Sequence, residues 1–196
     1  MRAAATRQQI VDAADQLFYE RGYEATAFAD IAAAVGISRG NFYYHFRTKD
    51  EILAAVIALR LDRTRGMLEH WQGEAGTPRE RIRCFIGMLT ANRAKIMRHG
   101  CPVGTLCNEL AKLDHDAQQH AAEIFTLFRD WLASQFAALG CAAEADRLAM
   151  HVLMRSQGIA TLATAFRDEA FIQQEVEAMS AWLQALEPLE NAASST

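Results

Sequence analysis

The stretch Ser38-Arg39-Gly40-Asn41-Phe42-Tyr43-Tyr44-His45-Phe46 concentrates hydrogen-bond donors on a short span, with Arg47-Thr48-Lys49 behind it. Phe42 and Phe46 stand four apart, so on a helix they share a face and can anchor it. Arg39, Asn41, Tyr43, Tyr44 and His45 fill the remaining surface, and each can donate a hydrogen bond. Such a face suits a polar, anionic partner. Asn41 carries the donor–acceptor pair that matches adenine N6/N7, and Arg39 can read guanine or neutralise phosphate. Tyr43, Tyr44 and His45 can donate to phosphates or touch thymine methyls. Gly40 lets backbone approach closely, and free N–H groups at Ser38–Gly40 suit a phosphate. The competing reading is a solvated face with aromatic packing.

A second constellation is Gly100-Cys101-Pro102-Val103-Gly104-Thr105-Leu106-Cys107-Asn108-Glu109-Leu110. A thiolate at a helix start near Arg98 and His99 would be activated. The simpler and preferred reading is that Cys101 and Cys107 are small apolar fillers. His99, Cys101, Cys107 and His115 include metal-binding types, but their spacing matches no zinc motif. No oxyanion site is arranged and no Gly-rich nucleotide loop follows a strand, so neither an enzyme, a cofactor nor a metal is expected.

The elements that must carry these residues read as helices throughout. Ala and Leu are frequent and only Pro78, Pro102 and Pro188 interrupt. Thr6-Arg7-Gln8-Gln9 has the form of a capping box, which predicts a first helix from there to Gly22, after a loose end at 1–5. A second helix starts near Thr26 and turns inward Phe28, Ile31, Ala32 and Val35. Gly36 supplies a turn with positive φ, Ser38 caps the next helix, and Ala32 allows the two helices to cross closely: a helix-turn-helix. Thr48-Lys49-Asp50-Glu51 opens a fourth helix that runs to about His70–Trp71, leaving no flexible linker. Thr77-Pro78-Arg79-Glu80 opens a fifth, with Pro at the favoured first position, to around Arg98. His99–Pro102 breaks the pattern. A short helix over 105–113, a long one over 116–139 and two more over 143–167 and 169–187 complete the reading. Leu148, Val152, Ile159, Leu162 and Phe166 stripe the first of that last pair. No internal repeat is present.

Composition agrees. The chain has 196 residues, 51% hydrophobic, with net charge -4. Its pI near 5.9 argues against coating nucleic acid non-specifically, while leaving room for a local basic site. Residues 1–49 hold six Arg/Lys against five Asp/Glu, and the remainder fourteen against nineteen. Residues 1–20 contain Asp12, Asp15 and Glu20 and no apolar segment, so no secretory signal is expected. Ile52–Leu59 is too short to span a bilayer. A cytoplasmic protein with no membrane association, and with reduced thiols at Cys84, Cys101, Cys107 and Cys141, is the expectation.

Residues 6–53 resemble the N-terminal domain of the TetR family of bacterial repressors. The match runs Ile10, Ala14, Leu17-Phe18, Gly22-Tyr23, Thr26, Ile31-Ala32, Val35-Gly36-Ile37-Ser38-Arg39-Gly40, Phe42-Tyr43-Tyr44-His45-Phe46, Lys49 and Leu53. The resemblance implies an all-α fold. A three-helix helix-turn-helix domain (6–47) is followed by an effector-binding and dimerisation domain (48–187) and a tail (188–196). It implies a homodimer through the last two helices, operator DNA as partner, and release by a small-molecule effector. It adds Thr26 and Lys49 as backbone contacts to Ser38, Arg39, Gly40, Asn41, Tyr43, Tyr44 and His45. It places the effector among the fourth to eighth helices, where Phe85, Met88, Leu89, Asn92, Cys101, Phe125, Phe128 and Trp131 are candidate lining. The Gly-Cys-x-x-Gly-x-Leu segment resembles a subgroup in which some members sense electrophiles or oxidants. The alternative function is therefore a thiol switch at Cys101.

Overall fold

The computed structural model describes residues 2–187, so the expected tail at 188–196 lies outside the described residues. These form an all-α fold without strands: α1 (Arg2–Arg21), α2 (Phe28–Val35), α3 (Arg39–His45), α4 (Lys49–Glu74), α5 (Pro78–Ala91), α6 (Arg93–His99), α7 (Pro102–Lys112), α8 (Gln118–Ala138), a 3-10 turn (Ala142–Glu144), α9 (Ala145–Phe166) and α10 (Glu169–Ala185).

Several ends differ from expectation for local reasons. Helix α1 begins at Arg2, not Thr6, because Ala3-Ala4-Ala5 are the strongest helix formers and extend it. The expected fifth helix is split at Asn92, whose φ of -105° and ψ of 11° leave the helical region. The Asn92 amide donates to the Met88 carbonyl at 3.0 Å, a local alternative to continuing the ladder. Helix α7 starts at Pro102 itself, since a first-turn residue needs no N–H partner. At Thr77 the capping box forms as expected: Thr77 N–H donates to Glu80 Oε2 at 2.8 Å, and Glu80 N–H to Thr77 Oγ1 at 3.2 Å. At Thr48 it forms with a shift. Thr48 Oγ1 accepts from Glu51 N–H at 3.1 Å, but the Glu51 carboxylate reaches Arg47 N–H at 2.7 Å.

The chain divides into two compact units. One comprises the described residues up to Thr64 together with Pro102–Ile124. The other comprises Arg65–Cys101 and the described residues from Phe125 onward. They do not follow a division at 47/48, because α7 packs on α1. In the first unit Ile10, Ala14 and Phe18 of α1, Ile31 of α2, Phe42 and Phe46, and Ile52, Leu53 and Val56 of α4 form the core, with Leu106 and Leu110 of α7 also buried. Arg60, itself buried, donates to Asp15 Oδ1 at 2.6 Å and to the Pro102 carbonyl at 2.5 Å, and so ties α4 to both α1 and α7.

In the second unit α10 lies against α5 and α9, and α9 against α6. Ile82, Phe85, Ile86 and Leu89 of α5 and Ile172, Met179 and Leu183 of α10 are buried. Arg79 donates to the carbonyls of Leu183 and Leu186 at the end of α10, where the last carbonyls lack full helical partners. The inward face of α9 is Leu148, Val152, Ser156, Ile159 and Ala163. Leu162 and Phe166, expected on that face, are exposed: Leu162 is rotated off its edge and Phe166 is the last residue of the helix.

Candidate nucleic-acid interface

Helices α2 and α3 are joined by three residues, Gly36, Ile37 and Ser38. Gly36 adopts φ 72° and ψ 31°, and the N–H groups of Gly36 and Ile37 return to the Ala32 carbonyl at 3.0 and 3.2 Å. This closes α2 with a left-handed residue, which glycine alone supplies without penalty. Ser38 is extended and its Oγ accepts from Asn41 N–H at 3.3 Å, the expected cap. Ala32 is buried beneath the crossing.

Helix α3 is anchored as its spacing requires. Phe42 and Phe46 are each 1% exposed, although Phe46 is the extended residue that ends the helix. Phe28 packs edge-on against Phe42 at 5.2 Å between ring centroids and meets the Tyr43 ring, tilted by 35°, at 5.7 Å. With one face held, Ser38, Arg39, Gly40, Asn41, Tyr43 and Tyr44 are all exposed, and His45 is half-buried with its ring edge-on to Tyr44. Tyr44 is 78% exposed, far more than a core aromatic. Arg39 and Tyr43 line a shallow depression with Phe28, Ala29, Ala32 and Phe42. The Arg7 guanidinium lies 4.6 Å from the centre of the Phe46 ring.

Two expected contact residues are placed differently. Thr26 is fully buried, and its hydroxyl donates to the Gly22 carbonyl at 2.7 Å. It is not presented to a ligand. Lys49 is half-buried, and its ammonium donates to the carbonyls of Tyr23, Glu24 and Thr26 at 3.0, 3.2 and 3.3 Å. All three of its N–H groups are therefore committed to the α1–α2 connection, and it lies 4.4 Å from the Tyr23 ring centre.

Beside that connection is a cluster that sequence reasoning missed. Tyr23 is buried, and its hydroxyl donates to Asp50 Oδ1 at 2.5 Å. His115 Nε2 lies 3.4 Å from the Tyr23 oxygen and 3.5 Å from Asp50 Oδ1. Glu109 accepts from the N–H groups of Tyr23 and Glu24 at 2.9 and 2.8 Å. Burial, then the hydrogen bond and charge of Asp50, push the Tyr23 phenol well above its ordinary value. The Tyr23 hydroxyl, with His115 and Lys49, holds the Asp50 carboxyl below the usual range against the opposing effect of desolvation. Glu109 and His115 are 86 and 92 positions from Tyr23, so no local pattern links them.

The candidate effector residues all belong to the second unit. Phe85 and Leu89 of α5 and Phe128 of α8 are buried; Met88, Phe125, Trp131 and Cys101 are half-buried. Phe85 meets Phe128 edge-on at 5.2 Å, and Trp131 faces Trp71 at 5.7 Å. The Trp131 indole N–H and the Thr90 hydroxyl are buried without a hydrogen-bond partner among the described residues. Asn92 does not join this group: it is exposed at the α5–α6 corner, where its amide is turned onto Met88. The four cysteines form no disulfide. Among the described residues no cluster of metal-ligating side chains occurs, and no helix is long and apolar enough to cross a membrane.

Residues 10–56 match the bacterial regulatory proteins of the tetR family, and residues 78–192 match the transcriptional regulator LmrA/YxaF-like C-terminal domain. An uncharacterized HTH-type transcriptional regulator in the lacX 3' region of Lactococcus lactis subsp. lactis is 29% identical over 136 residues, covering 68% of this chain and 69% of that one. The HTH-type transcriptional regulator TtgR of Pseudomonas putida is 46% identical over 55 residues, which span 28% of this chain and 26% of that one. A crystal structure of a TetR transcriptional regulator from Legionella pneumophila superposes with a TM-score of 0.79 at 25% identity, covering 89% of this chain and 95% of that one. Neither the cysteine-segment subgroup nor a Cys101 switch gains support from these matches. With a helix-turn-helix whose second helix presents its polar face outward, and with both parts of the sequence matching regulators of one kind, the chain belongs to the TetR family of DNA-binding transcriptional regulators.

Proposed function

We propose that the protein is a dimeric, cytoplasmic repressor that a small molecule releases from a pseudo-palindromic operator. The observation that carries this reading is the exposed face of α3, held on Phe42 and Phe46 and followed after three residues by the unbroken helix α4. Ser38, Arg39, Gly40, Asn41, Tyr43, Tyr44 and His45 supply the contacts, with Asn41 and Arg39 reading base edges and the others positioning the helix on phosphates. Two such helices on a symmetric dimer enter successive major grooves.

Dimerisation is supported by α9 and α10. Met150, Met154, Leu162 and Phe166 lie along α9 at multiples of four and are 43–72% exposed, an apolar row left uncovered among the described residues. Exposed Ala170, Ala178, Ala181 and Ala185 on α10 are small enough for close helix approach. The effector reading is supported by the Phe85–Phe128 and Trp71–Trp131 ring pairs and by the Trp131 indole N–H, which is buried without an acceptor among the described residues. Met88, Leu89, Phe125 and Cys101 complete the proposed lining. Releasing the operator by ~1000-fold requires about 4 kcal/mol of differential effector affinity across the sites.

Selection of bound fragments from the source genome by the purified chain tests the reading. A short inverted-repeat sequence should be enriched, and adding small molecules related to the neighbouring genes should release it. Enrichment of fragments without a common sequence, at a level that tracks salt alone, would overturn it.

A further inference from the structure

The α1–α2 connection, Gly22 to Ala27, leads into the helix-turn-helix, and its backbone polar groups are shared between two distant parts of the chain. Its carbonyls at Tyr23, Glu24 and Thr26 go to Lys49 of α4. Its N–H groups at Tyr23 and Glu24 go to the two oxygens of Glu109 in α7. Gly22 has φ +94°, and a Cβ there would come within 3.0 Å of Glu109 Oε1, so the missing side chain is what admits the carboxylate. His115, in the α7–α8 connection, faces Tyr23 edge-on at 5.3 Å. Its Nδ1 accepts from Ala117 N–H at 3.1 Å, which leaves the ring proton on Nε2, toward Asp50 and the Tyr23 oxygen. The stretch 102–124 is the one part of this compact unit that comes from outside the first 64 residues.

We propose that Glu109 and His115 are positioning residues for operator recognition, a latch by which α7 fixes the connection that sets α2 and α3. The inference rests on the operator-binding reading above and adds the place at which α7 controls it. Two charge-assisted bonds to adjacent N–H groups have a narrow geometric tolerance, so a displacement of α7 by about 1 Å removes them. Helix α3 then loses its fixed register, while the positive charge that binds phosphates without regard to sequence stays in place.

The test uses the full chain, a duplex enriched from a random pool by the unaltered chain, and an unrelated duplex of equal length. Glu109→Ala should lower affinity for the enriched duplex at least about tenfold, with affinity for the unrelated duplex unchanged. Amide exchange at Tyr23 and Glu24 should accelerate while the α9 amides stay protected. Glu109→Gln, which keeps one acceptor and the side-chain volume, should restore part of the discrimination, and it decides the matter if the Ala variant does not fold. Equal discrimination by variant and parent overturns the latch. So does a parallel loss on both duplexes that follows a fallen unfolding temperature, because that is the behaviour of a merely structural contact. If the unaltered chain enriches no duplex, the operator reading itself fails, an outcome distinct from either of these.

Discussion

Asn41 stands exposed in the first turn of α3, with its backbone N–H already held by Ser38 and its amide open. A side chain that can donate and accept at once discriminates adenine by about 1–3 kcal/mol when bidentate. Asn41→Ala should therefore flatten the preference among operator variants while leaving the unfolding midpoint within a few degrees, as competition binding and thermal melts would show. Lys49 is the opposite case. Its ammonium serves three carbonyls of the α1–α2 connection. Hydrogen bonds from a half-buried charge of this kind amount to about 1–2 kcal/mol after solvent screening. Lys49→Ala should lower stability in urea by that amount and leave the salt slope of DNA binding nearly unchanged. A slope reduced by about one per subunit would instead make Lys49 a phosphate contact.

Within the helix-turn-helix, two glycines separate folding from binding. Gly36 is left-handed, and a Cβ on it would meet nothing within 4 Å, so Gly36→Ala tests backbone strain alone. The expected cost is about 1 kcal/mol or slightly more, read from chemical unfolding. Gly40 also has open space around it and lies in the first turn of α3 without a positive φ. Gly40→Ala should leave stability unchanged or raise it by up to about 1 kcal/mol, yet weaken operator binding if DNA backbone comes close there. The turn glycine, the Ser38 cap and the Phe42/Phe46 anchor were all legible in sequence, because each depends on neighbours within four residues. The split at Asn92 was not, because a polar residue can stay in a helix or turn back on it at similar cost.

For the molecule as a whole, the exposed row Met150, Met154, Leu162 and Phe166 is the surface on which the proposed dimer rests. These residues fit the helical period as well as the core residues do, and the stripe read from sequence mixed Leu162 and Phe166 with Leu148, Val152 and Ile159. Periodicity marks an apolar face but not which neighbour covers it. A charge placed in such a row is desolvated on association, so Phe166→Glu combined with Met154→Glu should shift the chain from dimer to monomer in sedimentation, with helix content retained. Operator affinity should fall with it, since one recognition helix makes half the contacts.

The amino-acid sequence by itself determined the helical class, the helix-turn-helix and the polar face of α3, since spacing, caps and the turn glycine act within a few residues. Only the tertiary structure decided what Thr26, Lys49 and the last turn of α9 face. It also brought Glu109 and His115 to Tyr23 across 86 and 92 positions. The physical reason is that a hydrogen bond or an uncovered surface depends on which groups folding brings together, and residue type alone does not specify the partner.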